Sequence, residues 1–252
     1  MKQGIKRLFF DIETSPCVGF FWRPGYKISL SHDNIIHAGA IITICWKWEG
    51  AATVHHVEWD KGDDKRCIDA FLPVAMEADE IVAHNGDKFD IKWLNTRALH
   101  HGYPSLPIWK TVDTCVIARR RFAFNSNRLD YLGKFLFKEG KIKTEFGLWK
   151  DIVLKNCPKA MANMVKYCKQ DVKLLERVWG KLQPYHGNKT HVGVLSGGDK
   201  WTCPHDGSEN VKISKTKITA AGTVQHQMQC KDCGKYYTIS ARAYQDYKEA
   251  KG

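Results

Sequence analysis

The sequence of 252 residues has no apolar run that approaches the roughly 20 residues needed to cross a bilayer. Its basic start, MKQGIKRLFFDIE, also lacks an apolar stretch of signal-peptide length before the first acids. No internal repeat and no low-complexity tract is visible. From these absences we expect no membrane span, no secretory leader and no repeat architecture, and therefore a cytoplasmic globular protein.

Acidic residues are fewer than basic ones. The chain has 39 Lys and Arg against 27 Asp and Glu, which gives a formal charge of +12. This excess favours a polyanionic partner such as nucleic acid. A basic, solvated surface without a specific partner is the alternative interpretation.

The chain also lacks the regular cysteine spacing of a disulfide framework. Six of its nine cysteines are scattered through mostly apolar segments, which is typical of reduced core residues. These six are Cys17, Cys45, Cys67, Cys115, Cys157 and Cys168. The other three form a separate group near the C-terminus.

Hydrophobic periodicity predicts an α/β domain followed by a smaller β-rich one. The predicted strands are 5–12, 35–48, 51–59, 80–84 and 108–114, and the predicted helices are 63–79, 87–101, 128–137 and 159–182. We expect Asp87 to cap the second helix. Residues 184–200, rich in glycine and polar residues, are expected to link a domain of residues 1–183 to one of residues 201–252 that ends in a short helix.

Two carboxylates interrupt an apolar strand near the start of the chain, LFFDIET. Side chains alternate along a strand, so Asp11 and Glu13 share one face. Asp90 lies at the start of the helix that follows the strand EIVAH, and Asp171 falls within the apolar stripe of the last long helix. An acid that faces inward destabilises the fold unless it is paired or bound.

Each acid alone has a structural explanation. Asp90 can interact with the helix dipole, Asp171 can form a buried salt bridge, and Glu13 can lie at an exposed strand end. Four such acids on separate elements are better explained by divalent cations. Mg²⁺ and Mn²⁺ prefer oxygen ligands, and two such ions about 4 Å apart can activate a water and stabilise a leaving oxygen.

Three segments carry a more specific pattern, namely FDIET at 10–14, Asn85-x-x-x-Phe89-Asp90 and Tyr167-x-x-x-Asp171. In order and spacing they resemble the three motifs of the DEDD superfamily of 3'-to-5' exonucleases, over residues 5–182. The tyrosine of the third motif resembles the DEDDy branch, which includes the proofreading domains of family B DNA polymerases. A DEDDh member would carry histidine where this chain has Lys166.

The resemblance implies an RNase H-like α/β fold, a mixed five-stranded sheet flanked by helices with its first three strands antiparallel. It also implies a site in which four acids hold two Mg²⁺ or Mn²⁺ ions and a tyrosine orients the attacking water. These residues are Asp11, Glu13, Asp90 and Asp171, with Tyr167. Asn85 and Phe89 would hold the terminal nucleotides, although a core position suits Phe89 equally well.

Positive charge alternates with aromatic rings in the middle of the chain. The residues concerned are Arg119, Arg120, Arg121, Phe122 and Phe124, followed by Lys134, Lys138, Lys141 and Lys143. Because single-stranded nucleic acid is held by phosphate contacts and base stacking, we expect substrate to bind here. A solvated basic face over a phenylalanine core is the alternative, and for Phe135 and Phe137 we expect the core. For Asp113 we expect a supporting or structural role rather than direct metal binding.

The C-terminal cysteines resemble a zinc ribbon. CKDCG at 230–234 places two thiolates two residues apart with a glycine that lets the turn close, and CPHD at 203–206 supplies a third. A usual ribbon has cysteine at the position of Asp206. We expect His205 as the fourth ligand because imidazole is the commoner structural zinc ligand, with Asp206 and His226 as alternatives. The predicted set is Cys203, His205, Cys230 and Cys233 with one structural Zn²⁺.

These features together predict a metal-dependent 3'-to-5' exonuclease that releases nucleoside 5'-monophosphates from single-stranded DNA. We expect a stand-alone enzyme of a bacterial cell or a phage-infected host, whose zinc ribbon binds DNA or a protein partner. One alternative is an RNA-processing exoribonuclease, because the motifs do not distinguish the sugar. The other is a non-catalytic nucleic-acid-binding protein that acts through the ribbon.

Overall fold

The computed structural model describes residues 4–23, 25, 30–142 and 144–252. Lys143 of the predicted lysine cluster lies outside these residues. Contacts divide the chain into a larger unit, Arg7–Tyr185, and a smaller unit made of His186–Gly252 and the described residues before Arg7. Within the described part of the chain, every helix is too short or too polar to cross a membrane.

A mixed five-stranded sheet forms the centre of the larger unit. In chain order the strands of this unit are β1 (Arg7–Thr14), β2 (Val18–Gly19), β3 (Ile35–His37), β4 (Ile41–Trp48), β5 (His55–Glu58), β6 (Glu80–Ala83) and β7 (Thr111–Asp113). The central sheet has the order β5-β4-β1-β6-β7. β1, β4 and β5 are antiparallel, while β6 and β7 run parallel to β1. The predicted α/β class, with its first three strands antiparallel, is confirmed.

Helices pack on both faces of this sheet. They are α1 (Lys65–Met76), α2 (Asp90–His100), α3 (Thr114–Arg121), α4 (Leu129–Phe137), α5 (Gly147–Lys155) and α6 (Pro158–Leu182). One face buries Leu8, Phe10 and Ile12 of β1, and Phe10 stacks on Phe71 of α1 at 5.1 Å. The other face buries Phe9 beneath α6. The two faces therefore separate the alternating side chains of β1.

The long helix α6 follows the predicted apolar stripe. Pro158 occupies its first turn, where no amide donor is needed, and its inward positions include Cys168, Val172 and Leu175. Asp171 lies among them with no exposed surface. This helix therefore carries one acid into the core beside β1.

The start of α2 differs from the prediction. The helix begins at Asp90, and no side chain caps it, so the expected capping role of Asp87 is wrong. Asn85 has a φ of 65°, which turns the chain after β6, and the Ile91 amide donates to the Gly86 carbonyl at 3.0 Å. A backbone carbonyl of the turn therefore accepts the hydrogen bond that a capping side chain would otherwise accept from an amide of the first helical turn.

Two other predictions are corrected. The strand expected over 35–48 is divided into β3 and β4. Between them the Ala40 amide donates a hydrogen bond to the Ser15 hydroxyl at 2.9 Å. Phe135, expected in the core, is 62% exposed and lies 5.3 Å from Phe124. The helices α3 and α5 were not predicted from the sequence.

The smaller unit is a three-stranded antiparallel sheet with one covering helix. Its elements are α7 (Val192–Leu195), β8 (Val211–Ile218), β9 (Val224–Cys230), β10 (Tyr236–Ser240) and α8 (Ala241–Lys251), and the strand order is β10-β9-β8. The segment 184–200, expected as a linker, instead contains α7. The Val192 amide donates to Pro204 O at 3.0 Å, so this part of the segment packs within the smaller unit.

A buried ionic network holds the larger unit together around Asp64. Its Oδ2 accepts hydrogen bonds from the Ile41 amide at 2.8 Å and from Arg97 Nε at 2.7 Å. Its Oδ1 lies 2.9 Å from Arg97 Nη2 and 2.6 Å from His101 Nε2. Burial alone would raise the pKa of Asp64, but the bonds from Arg97 and His101 outweigh it and lower the pKa. This carboxylate therefore joins α1, α2 and β4 as an anion.

We predict that Asp64→Ala lowers the free energy of unfolding by about 3–5 kcal/mol, because it leaves the Arg97 charge buried without its partner. Urea denaturation at pH 7 measures this loss. Asp151→Ala is the control, since it removes only an exposed pair with Lys155 and costs about 0.5 kcal/mol or less. Equal losses in the two variants would contradict the structural role of Asp64.

Candidate active site

Four acidic side chains approach one another where β1, the turn before α2 and α6 meet. Ligand atoms of Asp11 and Glu13 lie within 4.8 Å of each other and of Cys168 Sγ. Asp90 Oδ1 accepts a hydrogen bond from the Ile12 amide at 3.0 Å, between the two strand acids. Asp171 is near enough that its charge raises the pKa of both Asp11 and Glu13. The sequence-predicted acids therefore share one location.

Burial and the neighbouring carboxylates disfavour the ionised form of the two strand acids, Asp11 and Glu13. Burial, followed by the charge of Asp171, raises the pKa of Asp11 from 3.8 to about 7. Burial, followed by the charge of Asp11, raises the pKa of Glu13 from 4.5 to about 9. Both carboxylates therefore resist ionisation at neutral pH unless positive charge is near.

The two helix acids are more deeply buried. Asp90 is 2% exposed and Asp171 has no exposed surface. Burial raises the pKa of both, and the charge of Asp11 adds to the effect on Asp90. Lys141 and Tyr167, which lie beside Asp171, partly offset the effect of burial on its pKa. Asp171 is thus a buried carboxylate that two neighbouring side chains already contact.

Lys141 enters the acid cluster, and the sequence did not predict this. Its Nζ lies 2.5 Å from Asp171 Oδ2, a close ion pair. Burial alone would lower the pKa of Lys141, but the charges of Asp171 and Asp11 outweigh it and raise the pKa. The Lys141 amide donates to Asp130 Oδ1 at 2.8 Å, which fixes the backbone there. One protonated lysine is therefore built into the site.

Tyr167 lies one helical turn before Asp171 on the same face of α6. Its hydroxyl accepts a hydrogen bond from Lys141 Nζ at 3.1 Å, and the ammonium also lies 5.1 Å from the ring centroid. Burial and the charge of Asp171 raise the pKa of Tyr167 to about 12. The hydroxyl therefore keeps its proton and can donate a hydrogen bond.

Cys168 places a thiol beside Asp11. Its Sγ donates to the Asp11 carbonyl at 3.4 Å and lies 3.6 Å from Asp11 Oδ2. Burial raises the pKa of Cys168 well above its ordinary value. The thiol is thus protonated and supports the orientation of Asp11.

The turn that leads to Asp90 is anchored to the end of β7. Asp113 Oδ1 accepts hydrogen bonds from the Asn85 amide at 2.9 Å and from the first amides of α3, Cys115 at 2.9 Å and Val116 at 3.2 Å. Asp113 therefore has a structural role beside the site. Phe89 follows in the same turn and is 38% exposed, and its ring is tilted by 60° to that of Trp93 with the centroids 6.3 Å apart.

The predicted basic segment lies at the other end of α3. Arg119, Arg120 and Arg121 form its last turn and are exposed. Arg119 is six residues beyond Asp113, about 9 Å along the helix axis. Within the described residues, no contact joins these arginines to the four acids. Their role in substrate binding remains a prediction.

The smaller unit contains a second cluster of potential ligands. Atoms of Cys203, Asp206, Cys230 and Cys233 all lie within 4.8 Å of one another. Cys203 and Cys233 have their sulfur atoms 3.7 Å apart, and Cys230 Sγ lies 3.5 Å from Asp206 Oδ2. Gly207 has a φ of 71°, which lets the turn that begins at Cys203 close.

The fourth member of this cluster differs from the prediction. Asp206 occupies the place expected for His205, because the turn after Cys203 brings the carboxylate, and not the imidazole, toward the sulfur atoms. His205 Nδ1 is buried without a hydrogen-bond partner among the described residues. His226, the other alternative, stacks on Tyr244 at 3.8 Å and lies 3.1 Å from the Thr216 hydroxyl.

Comparisons with known proteins agree with this architecture. The chain is similar in structure to the family B DNA polymerase from the hyperthermophilic archaeon Pyrobaculum calidifontis, with a TM-score of 0.56 and 19% identity. The match covers 77% of this chain and 26% of the polymerase, so this chain spans about a quarter of that protein's length. At this identity the likeness shows the fold alone. No curated protein matches the chain.

The family comparison covers the same part of the chain. The family model RNase_H_2, of the RNase H superfamily, matches residues 8–183, which extend from β1 to the end of α6. This span is more than half of the 252 residues and includes all four acids. The protein therefore belongs to the RNase H superfamily.

Proposed function

We propose that this protein is a metal-dependent 3'-to-5' exonuclease of the DEDDy type that acts on single-stranded DNA. The observation that carries the proposal is the gathering of Asp11, Glu13, Asp90 and Asp171 from three separate elements into one buried cluster. Membership of a nuclease superfamily and the structural likeness to a DNA polymerase support nuclease chemistry and favour DNA.

The residues of the cluster fit hard divalent cations. Their donor atoms are carboxylate oxygens, which are the ligands that Mg²⁺ and Mn²⁺ prefer. Two Mg²⁺ or Mn²⁺ ions held by the four acids would supply an activated water and stabilise charge on the leaving oxygen. The raised pKa values of Asp11 and Glu13 support this assignment, because nearby positive charge favours the ionised form of a carboxylate.

The remaining residues position the reactants. The protonated Tyr167 hydroxyl donates a hydrogen bond that orients the attacking water. The Lys141 ammonium, which the metal would displace from Asp171, offsets the negative charge of the scissile phosphate. The water oxygen attacks phosphorus as the bond to the 3' oxygen of the preceding nucleotide breaks. That oxygen takes up a proton, and the terminal nucleotide leaves as a 5'-monophosphate.

We expect a 5'-labelled single-stranded DNA oligonucleotide to shorten stepwise from its 3' end with Mg²⁺ or Mn²⁺. Asp11→Ala and Asp171→Asn should each lower the rate at least about a hundredfold, the scale of losing one preorganised charged group. Gel analysis of the ladder, with mononucleotide release from a 3'-labelled substrate, measures this.

Asp151→Ala removes an exposed acid of α5 and should leave the rate unchanged. An RNA substrate of the same sequence tests the choice of sugar. Tight DNA binding without turnover in either metal would overturn the exonuclease proposal and favour a non-catalytic binding protein.

The pKa shifts predict a pH-dependent effect of metal on stability. Folding raises the pKa of Asp11 from 3.8 to about 7 and that of Glu13 from 4.5 to about 9, so the folded chain binds these protons more tightly than the unfolded chain. Without metal, this contribution to the free energy of unfolding is fully present below the ordinary pKa values and is lost as the pH rises through the folded-state values. Mg²⁺ should therefore raise the melting temperature more at pH 8.5 than at pH 5.5. Lys141→Met should enlarge the shift at pH 8.5, because it removes the internal cation.

Thermal melts of protein prepared without a strong chelator, which would also remove zinc, measure this shift. Asp11→Asn with Asp171→Asn is the matched control, and the double variant should show little response to Mg²⁺ at either pH. A Mg²⁺ shift of equal size at both pH values, or one that persists in the double variant, would contradict binding at the acid cluster.

For the smaller unit, we propose a zinc ribbon in which Cys203, Asp206, Cys230 and Cys233 bind one Zn²⁺. Three sulfur atoms and one carboxylate within 4.8 Å fit a closed four-ligand site. Metal analysis should give about one zinc per chain. Cys230→Ser and Asp206→Ala should lose it, whereas His205→Ala should retain it. The assignment would be refuted if His205→Ala lost zinc while Asp206→Ala retained it, or if the smaller unit folded without zinc.

A further inference from the structure

One face of the sheet in the smaller unit is open to solvent and basic. The central strand β9 presents Gln225, Gln227 and Gln229 on this face, paired with Lys217, Lys215 and Lys212 of β8 on one side and with Ser240, Thr238 and Tyr236 of β10 on the other. The three lysines, Tyr236 and Thr238 are exposed. We call these side chains the lysine–glutamine face.

A β-bulge places the three lysines together. In a regular strand Lys212 and Lys215 would point to opposite faces, because they are three residues apart. The register shifts between Ile213 and Lys215, so Ser214 is an extra residue without its own partner on β9. After it, Lys215 and Lys217 lie on the same face as Lys212. The irregularity thus concentrates positive charge.

The opposite face is the packed one. It buries Met228, His226 and Ile239 against α8, and Tyr244 of that helix stacks on His226 at 3.8 Å. Ile213 and Thr216 of β8 pair with Met228 and His226 on this side. The lysine–glutamine face is therefore not needed to form the core of the smaller unit.

We propose that the lysine–glutamine face binds single-stranded DNA, which deepens the proposed function and rests on it. No acid occupies any of its paired positions on the three described strands, so it complements a polyanion. Lysines suit phosphates, and glutamine amides can hydrogen-bond to base edges. Tyr236, 54% exposed, offers a ring for base stacking.

The shape of this surface favours a single strand over a duplex. Splayed bases can lie flat on an open sheet that carries an exposed aromatic ring, as in other sheet-based readers of single strands. A duplex instead is read by an element that enters a groove. An acidic protein partner would need the lysines but would have no specific use for the ring of Tyr236.

The test measures DNA affinity in full-length protein that carries Asp11→Asn, so that DNA is not consumed. Fluorescence anisotropy with a labelled single strand, titrated at several salt concentrations, gives the salt dependence. The salt dependence is the slope of the logarithm of the binding constant against the logarithm of the salt concentration. The triple variant Lys212→Ala, Lys215→Ala and Lys217→Ala should reduce the magnitude of this slope by about 2, at about 0.7 per lost phosphate contact. Tyr236→Ala should weaken binding at least about fivefold, and Tyr236→Phe should restore it.

A matched triple variant at Lys159, Lys173 and Lys181, exposed lysines of α6, removes the same charge and should leave the slope unchanged. Replacing the three ribbon lysines with arginine should restore binding. Zinc content and the melting temperature show whether each variant is folded. A lysine-to-alanine triple variant that is folded and binds DNA with the wild-type slope would overturn the proposal, as would equal binding of an acidic peptide.

Turnover of a p-nitrophenyl ester of thymidine 5'-monophosphate, measured in chains with an intact Asp11, separates this inference from the nuclease proposal. The ester is too small to reach a second surface, so the ribbon triple variant should hydrolyse it at the wild-type rate. If no chain hydrolyses the ester or DNA, the nuclease proposal fails while the binding result still stands. If hydrolysis is normal and the binding slope is unchanged, only the lysine–glutamine face is refuted.

Discussion

The repulsion among Asp11, Glu13, Asp90 and Asp171 is the constraint on which the larger unit depends. Bringing four carboxylates into one partly desolvated place raises their pKa values and works against folding. The surrounding elements bring the acids together: β1 is packed on both faces, the turn before α2 is anchored to Asp113, and α6 is packed in the core. Positive charge in the cluster would offset this repulsion, and this is the physical basis of the proposed divalent-cation site.

Lys141 shows that the protein supplies part of that charge itself. Its backbone is tied to Asp130 and its ammonium lies beside Asp171 and Tyr167. This one cation cannot neutralise four acids, and the pKa of Glu13 remains near 9 despite it. The lysine therefore offsets part of the repulsion among the acids, and the proposed divalent ions would offset the rest. In the smaller unit, two tight turns, rather than a large core, bring three sulfur atoms and a carboxylate together.

Some of the predicted features follow from a local period in the sequence, whereas the mixed five-stranded sheet and the shared site of the four acids are what the motif resemblance implies. The alternation along LFFDIET and the apolar stripe of α6 follow from backbone geometry, so the faces of Asp11, Glu13 and Asp171 could be predicted. Lys141 could not be predicted, because it lies in a segment without periodicity and meets Asp171 only through the tertiary fold. The choice between His205 and Asp206 depends on the direction of one turn. The bulge at Ser214, which sets the lysine–glutamine face, leaves no mark in the sequence that distinguishes it from a regular strand.

The central claim is that the four acids form a binding site for divalent cations rather than a structural ion-pair network around Lys141. Anomalous X-ray diffraction from crystals grown with Mn²⁺ tests it directly. We predict Mn²⁺ peaks in contact with oxygens of Asp11, Glu13, Asp90 and Asp171, with the Lys141 ammonium displaced from its position 2.5 Å from Asp171 Oδ2. No peak at these acids at saturating Mn²⁺, with the lysine still paired to Asp171, would contradict it.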